Sequence, residues 1–156
     1  DRKRFSLVGF RQKESDFEFE VKMNFLPEKD KVESGIIHYQ KEWNYLTNTV
    51  TKMKKKYYLE QKLKEKSKEV VTLKKTILKG YDGNIILKVK SKKDKYDFYY
   101  SLNNGSSFIY FTSMDAIKIL DRNYTGALLG LYTTSNEKVT QDYADYDWIR
   151  YRDYLR

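Results

Sequence analysis

Two carboxylates spaced for joint action are the first candidates for chemistry in this chain. Asp145 and Asp147 stand at i and i+2 in Ala144-Asp145-Tyr146-Asp147-Trp148, and on a regular strand their side chains point the same way with Cα atoms about 6.5–7 Å apart. Glycosidic cleavage needs an acid and a base or nucleophile separated by about 5–9.5 Å. The spacing fits, but it is common on strands, where hydrogen bonding at a sheet end or a structural cation is the simpler use. Calcium takes six or more oxygens, and Asp142, Asp145, Asp147 and Asp153 supply only part of that set, in no recognised ligand loop. A structural calcium on Asp145 and Asp147 is therefore the one metal to test, and no other cofactor is expected. His38 is the only histidine and cysteine is absent, which excludes a disulfide framework, thiol catalysis, Cys-ligated metals and any multi-His site within the chain. A Ser-His-Asp triad would have to use His38. It lies in Ile36-Ile37-His38-Tyr39, without a nearby motif to activate, and reads as a sheet-face residue. Gly80-Tyr81-Asp82-Gly83-Asn84 lacks the Lys-Ser or Lys-Thr and the helix of a phosphate loop, and Gly126 to Gly130 lie in a strand-like run rather than an apolar helix.

Aromatic side chains offer a second chemistry. The 15 Tyr, 8 Phe and 2 Trp include Trp43, Tyr45, Tyr39, Tyr99, Tyr110 and Trp148, which could line one sheet face and stack on the apolar faces of sugars. Trp43, Tyr45, Tyr99 and Trp148 are the carbohydrate-binding candidates, although most rings in such a chain are needed as core.

Charge offers a third. The net charge is +9, and residues 52 to 79 carry 11 Lys and 3 Glu, leaving the flanking segments close to neutral. Nucleic-acid domains favour Arg wherever phosphates or bases are gripped by a forked donor, and this segment has none. It reads as a solvated lysine-rich hairpin whose charges discourage edge-to-edge aggregation. A polyanion-binding patch is the alternative.

Alternation with a period of two dominates the elements that must hold these groups. From Phe17 to Phe25 every odd position is apolar and every even one polar, so one face is buried. Further strands are expected at Ser34–Gln40, Trp43–Val50, Ile85–Val89, Tyr96–Leu102, Phe108–Thr112, Thr125–Tyr132 and Ala144–Tyr151. In the lysine-rich stretch Tyr57, Leu59 and Leu63 share a strand face, while Met53, Tyr57 and the pair Glu60/Lys64 fit helical spacing; its strand neighbours together with Val70-Val71-Thr72-Leu73 favour strands. Only Met114–Leu120 reads as helical. Ten to twelve strands with short turns predict an all-β, two-sheet antiparallel β-sandwich or barrel, forming a single domain over 1–156 with Leu128, Leu131 and Ile149 in its core. No stretch is apolar enough to span a membrane, and the sequence does not distinguish a cytoplasmic from a secreted location.

Three blocks resemble one family. Phe10-Arg11-Gln12, Phe17 to Pro27, Ser34 to Gln40 and Trp43-Asn44-Tyr45 form the first, and Leu87-Lys88-Val89 with Tyr96 to Phe108 the second. Tyr124 to Tyr132 followed by Ala144 to Tyr151 is the third and most specific. Together they resemble the concanavalin A-like C-terminal domain of β-xylosidases in glycoside hydrolase family 43. The resemblance spans about residues 5 to 152 and implies a jelly-roll sandwich. It also implies that catalysis belongs to a five-bladed propeller not contained in these residues, and that the chain is a non-catalytic accessory module. The implied partners are that propeller and xylo-oligosaccharide or arabinoxylan fragments. The family's loop before the Thr-Gly-Ala strand leans on the propeller and presents an aromatic residue, usually Phe, to the sugar pocket. Tyr124 and its neighbour Asn123 occupy that place here; capping the sandwich edge is the simpler role for Tyr124.

Overall fold

The computed structural model describes residues 8–11, 16–41, 44–92, 95–115, 128–134 and 144–153. Within them lie eleven strands: β1 (Val8–Arg11), β2 (Phe17–Asn24), β3 (Glu33–Lys41), β4 (Asn44–Met53), β5 (Lys56–Lys64), β6 (Val71–Ile77), β7 (Asn84–Lys92), β8 (Lys95–Ser101), β9 (Ile109–Asp115), β10 (Leu128–Thr134) and β11 (Asp145–Asp153). They form a six-stranded sheet in the order β1-β10-β3-β4-β5-β6 and a five-stranded sheet in the order β11-β2-β7-β8-β9. Every pairing is antiparallel. The expected two-sheet sandwich is what the chain forms.

The alternation in β2 has the predicted consequence. Phe17, Phe19, Val21, Met23 and Phe25 are fully buried, and they meet Leu46, Val50, Leu59 and Leu129 from the other sheet in one core. Leu131 belongs to that core, while Ile149 is half-buried against it. The side chain of Leu128 lies outside the described residues. Tyr57 and Tyr81 sit together at one end of the sandwich, their rings 5.2 Å apart. Tyr57 donates to the Pro27 carbonyl and Tyr81 to the Phe25 carbonyl, so the chain's only Pro marks a crossing between sheets that two phenols hold down.

The lysine-rich stretch forms strands. Lys54 and Lys55 adopt consecutive left-handed conformations (φ 50° and 69°), making a two-residue turn between β4 and β5 whose twist matches that of the flanking strands. The helix expected at Met114–Leu120 is corrected at its first two residues. Met114 pairs with Tyr96 inside β9, which runs to Asp115; cross-strand pairing to a buried Tyr outweighs the short helical spacing, and 116–120 lie outside the described residues. Trp43 and residues 125–127 lie outside them as well.

Gly35 reflects close strand approach rather than a turn. A Cβ there would lie 2.0 Å from the Asn48 carbonyl oxygen and 2.8 Å from the Thr49 Cα, both rigid backbone in the neighbouring strand. Gly35→Ala is expected to destabilise the sandwich by about 1–3 kcal/mol, as overpacking does when the neighbour cannot yield. Urea unfolding measures this directly. An unchanged midpoint would mean that β3 and β4 part without cost.

Candidate functional site

Each sheet has an outer face, and the two differ in chemistry. On the five-stranded sheet the even positions of β2 point outward and meet the outward residues of β7 and β11. Lys88 reaches Glu20 at 3.0 Å, Lys90 reaches Glu18 at 3.5 Å, and Lys22 reaches Asp147 at 3.8 Å. Arg150 reaches Glu20 only at 3.8 Å, while its guanidinium lies 4.7 Å from the Trp148 ring centroid. Glu18, Glu20, Lys88, Arg150 and Arg152 line a cleft of about 260 Å³.

The six-stranded sheet buries polar groups on its outer face. Glu33 is 3% exposed, accepts from Thr49 Oγ1 at 3.0 Å, and pairs with Lys62 Nζ at 3.0 Å. Lys62 also lies 3.4 Å from Glu60, and Lys75 reaches Glu60 at 3.5 Å. Burial alone would pull the Lys62 ammonium below the usual lysine range, but Glu33 and Glu60 outweigh that and raise it. Burial, and then the Glu33 charge, raise the Tyr45 and Tyr132 phenols. Thr47, Thr49 and Thr51 are buried beside this network. It was not anticipated from sequence, although Glu33, Glu60 and Lys62 fall on outward positions once the register of β3, β4 and β5 is known.

His38 faces inward. Its ring lies 4.9 Å from Tyr96 and 5.6 Å from Phe98, and among the described residues neither nitrogen has a hydrogen-bond partner. Burial lowers its pKa to about 3, so it is neutral core and no catalytic base.

The aromatic candidates do not share one face. Tyr45 belongs to the six-stranded sheet, opposite Tyr39, whereas Tyr99 and Trp148 lie on the outer face of the five-stranded sheet. The split arises because the chain crosses between sheets after β2 and again after β6, which sequence proximity hides. Both rings of the latter pair already hold a cation, Lys90 at 5.4 Å over Tyr99 and Arg150 over Trp148. Tyr110 packs edge-on to Tyr99 at 5.8 Å. The regular i, i+2 geometry expected for Asp145 and Asp147 is interrupted by an irregularity between Tyr146 and Trp148. Asp145 is opposite Asn24, while Asp147 is the extra residue and turns to Lys22. Among the described residues no three His, Asp or Glu converge as a metal site would require. Asn123 and Tyr124 lie outside the described residues, as does Asp142. The lysines of 52–79 are dispersed over several surroundings. Lys62 joins the glutamates, Lys74 donates to the Phe111 carbonyl, and Lys75 lies 4.2 Å from the Tyr58 ring.

With two jelly-roll sheets in place, the decisive observation is a match of residues 1–152 to the family described as the β-xylosidase C-terminal concanavalin A-like domain. The chain belongs to that family. It is 24% identical over 148 residues to a non-reducing-end α-L-arabinofuranosidase of Bacteroides ovatus, covering 94% of this chain and 28% of that protein. A xylosidase/arabinosidase of Butyrivibrio fibrisolvens is 26% identical over 155 residues, with 92% and 28% covered. The crystal structure of a family 43 protein from Bacillus licheniformis superposes with a TM-score of 0.82 at 25% identity, over 96% of this chain and 30% of that one. The chain thus spans less than a third of the length of these relatives. No helix among the described residues is long and apolar enough to cross a membrane.

Proposed function

We propose that this chain is the accessory sandwich of a glycosidase acting on xylan- or arabinoxylan-derived substrates, that it packs on a catalytic propeller, and that it carries no catalytic residue itself. The observation that carries the reading is coverage: the family match takes in residues 1–152, while the same residues account for 28% of each curated relative. The site geometry agrees with it. Asp147 is held by Lys22, Asp145 is exposed with Asn24 opposite, and His38 is sealed in the core. None of these provides an acid and a base flanking one scissile bond. The contact of Asn123 and Tyr124 with a propeller's sugar pocket remains part of the proposal.

Incubated with aryl β-xylosides and aryl arabinofuranosides, the chain is expected to release no product. Turnover that disappears in Asp145→Asn would overturn the assignment. Retardation in a xylan-containing gel is expected. Salt-sensitive retention of random DNA would instead support a polyanion module, because counter-ion release makes such binding fall steeply between 50 and 200 mM salt. The dispersed lysines favour the first outcome.

A further inference from the structure

The outer face of the five-stranded sheet holds two guanidiniums that, among the described residues, have a single ion pair, Arg150 to Glu20 at 3.8 Å. Glu20 is taken by Lys88 at 3.0 Å and Glu18 by Lys90 at 3.5 Å, so both carboxylates already have a cation before β11 is considered. Arg150 reaches Glu20 only at 3.8 Å. Arg152 stands opposite Glu18 in the ladder, yet forms no ion pair among the described residues. The two Arg are two residues apart on β11, after its irregularity, and both line the cleft of about 260 Å³. Trp148 holds the Arg150 guanidinium from one side at 4.7 Å, which fixes the orientation of its planar fork.

We propose that this cleft binds an acidic sugar, a uronic acid whose carboxylate bridges Arg150 and Arg152. The inference deepens the carbohydrate reading above and rests on it. The lining selects among anions. A guanidinium fork matches a planar carboxylate in a two-pronged geometry. The lining also carries the Glu18 and Glu20 carboxylates, only 15% and 14% exposed, which accept hydrogen bonds from hydroxyl groups and disfavour a more highly charged phosphate more than a singly charged uronate. A ligand presenting one carboxylate together with several hydroxyls satisfies both halves of the lining. A nucleic-acid strand, with a phosphate at every residue, meets Glu18, Glu20 and Asp147 along the same face. Sequence alone did not show the cleft, because Glu18, Glu20, Lys88, Arg150 and Arg152 come together only through the β11-β2-β7 register.

The test titrates the 156-residue chain, observed by amide NMR, with glucuronic acid, with xylotetraose bearing a glucuronic acid substituent, with plain xylotetraose and with inorganic phosphate. Shifts confined to β2, β7 and β11 are expected for the first two ligands. A preference for the substituted oligosaccharide over free glucuronic acid identifies a polysaccharide side chain as the source, and the reverse preference identifies the free sugar acid. Arg152→Gln and Arg150→Gln are each expected to weaken binding about tenfold, the size of one lost charged hydrogen bond. Lys68→Gln, the same charge change at an exposed turn remote from the cleft, should leave it unchanged. Arg152 is exposed and has no ion pair among the described residues, so its variant should keep the wild-type melting temperature. Equal binding of plain xylotetraose would overturn this inference while leaving the carbohydrate reading intact. Equal binding of phosphate, an equal loss in Lys68→Gln, or no binding of any acidic sugar would also overturn it.

Discussion

Lowering the pH from 7 to 4.5 is expected to cost the wild-type domain about 2–3 kcal/mol of folding stability through His38 alone. The native pKa is about 3, whereas the unfolded chain protonates near 6.5. Below 6.5 the unfolded state therefore binds a proton that the folded state refuses. Stability contributed by the neutral imidazole is complete above 6.5 and is lost progressively as the pH falls toward 3, reaching about 5 kcal/mol over that window. The cause is burial between Tyr96 and Phe98, with Leu46 and Leu129 on the flanking strands and no partner for either nitrogen among the described residues. His38→Leu should remove this slope. It should also hold or raise stability at pH 7, because two unpaired buried polar atoms each carry a desolvation cost of about 1–3 kcal/mol. Urea unfolding of both proteins at pH 7 and pH 4.5 measures the difference, and carboxylate titration common to both cancels. Parallel pH dependence in the two proteins would show that His38 takes up its proton in the folded state.

Lys62→Met is expected to destabilise by about 3 kcal/mol, the lower end of what breaking a buried ion pair costs, since Lys62 is about a quarter exposed. Removing the ammonium takes the 3.0 Å cation away from Glu33, 4% exposed at its side chain, while the Thr49 donor stays. Glu60 retains Lys75 at 3.5 Å, so the loss concentrates at Glu33. The double variant Lys62→Met with Glu33→Gln should recover most of the stability, because a neutral amide still bonds Thr49 and leaves no charge at position 33. Losses that simply add in the double variant, read from thermal unfolding, would mean that Lys62 acts through the packing of its stem on β4 and β5.

What the sequence determined by itself was whatever depends on local period and on residue type. The nine alternating residues from Phe17 to Phe25 can bury only one face, so the core list Phe17, Phe19, Val21, Met23 and Phe25 was legible from spacing. The absence of Cys and the single His exclude whole classes of site on residue type alone. The family was also legible, because the motif blocks depend on order along the chain, and the match over residues 1–152 bears this out.

Tertiary structure decided everything that depends on which strands are neighbours. Tyr45 and Tyr99 look alike in sequence, yet β4 and β8 belong to different sheets. Asp147 left its regular position because one extra residue entered β11 between the partners Met23 and Lys22. Met114 became a strand residue because Tyr96 stands opposite it. The two charged networks depend on pairs far apart in the chain, Glu33 with Lys62 across 29 positions and Glu20 with Arg150 across 130. Nothing local marks such groups: a Glu on a strand reads as solvated until the register places another strand's charge within 4 Å of it, and register is set by the burial of the opposite face.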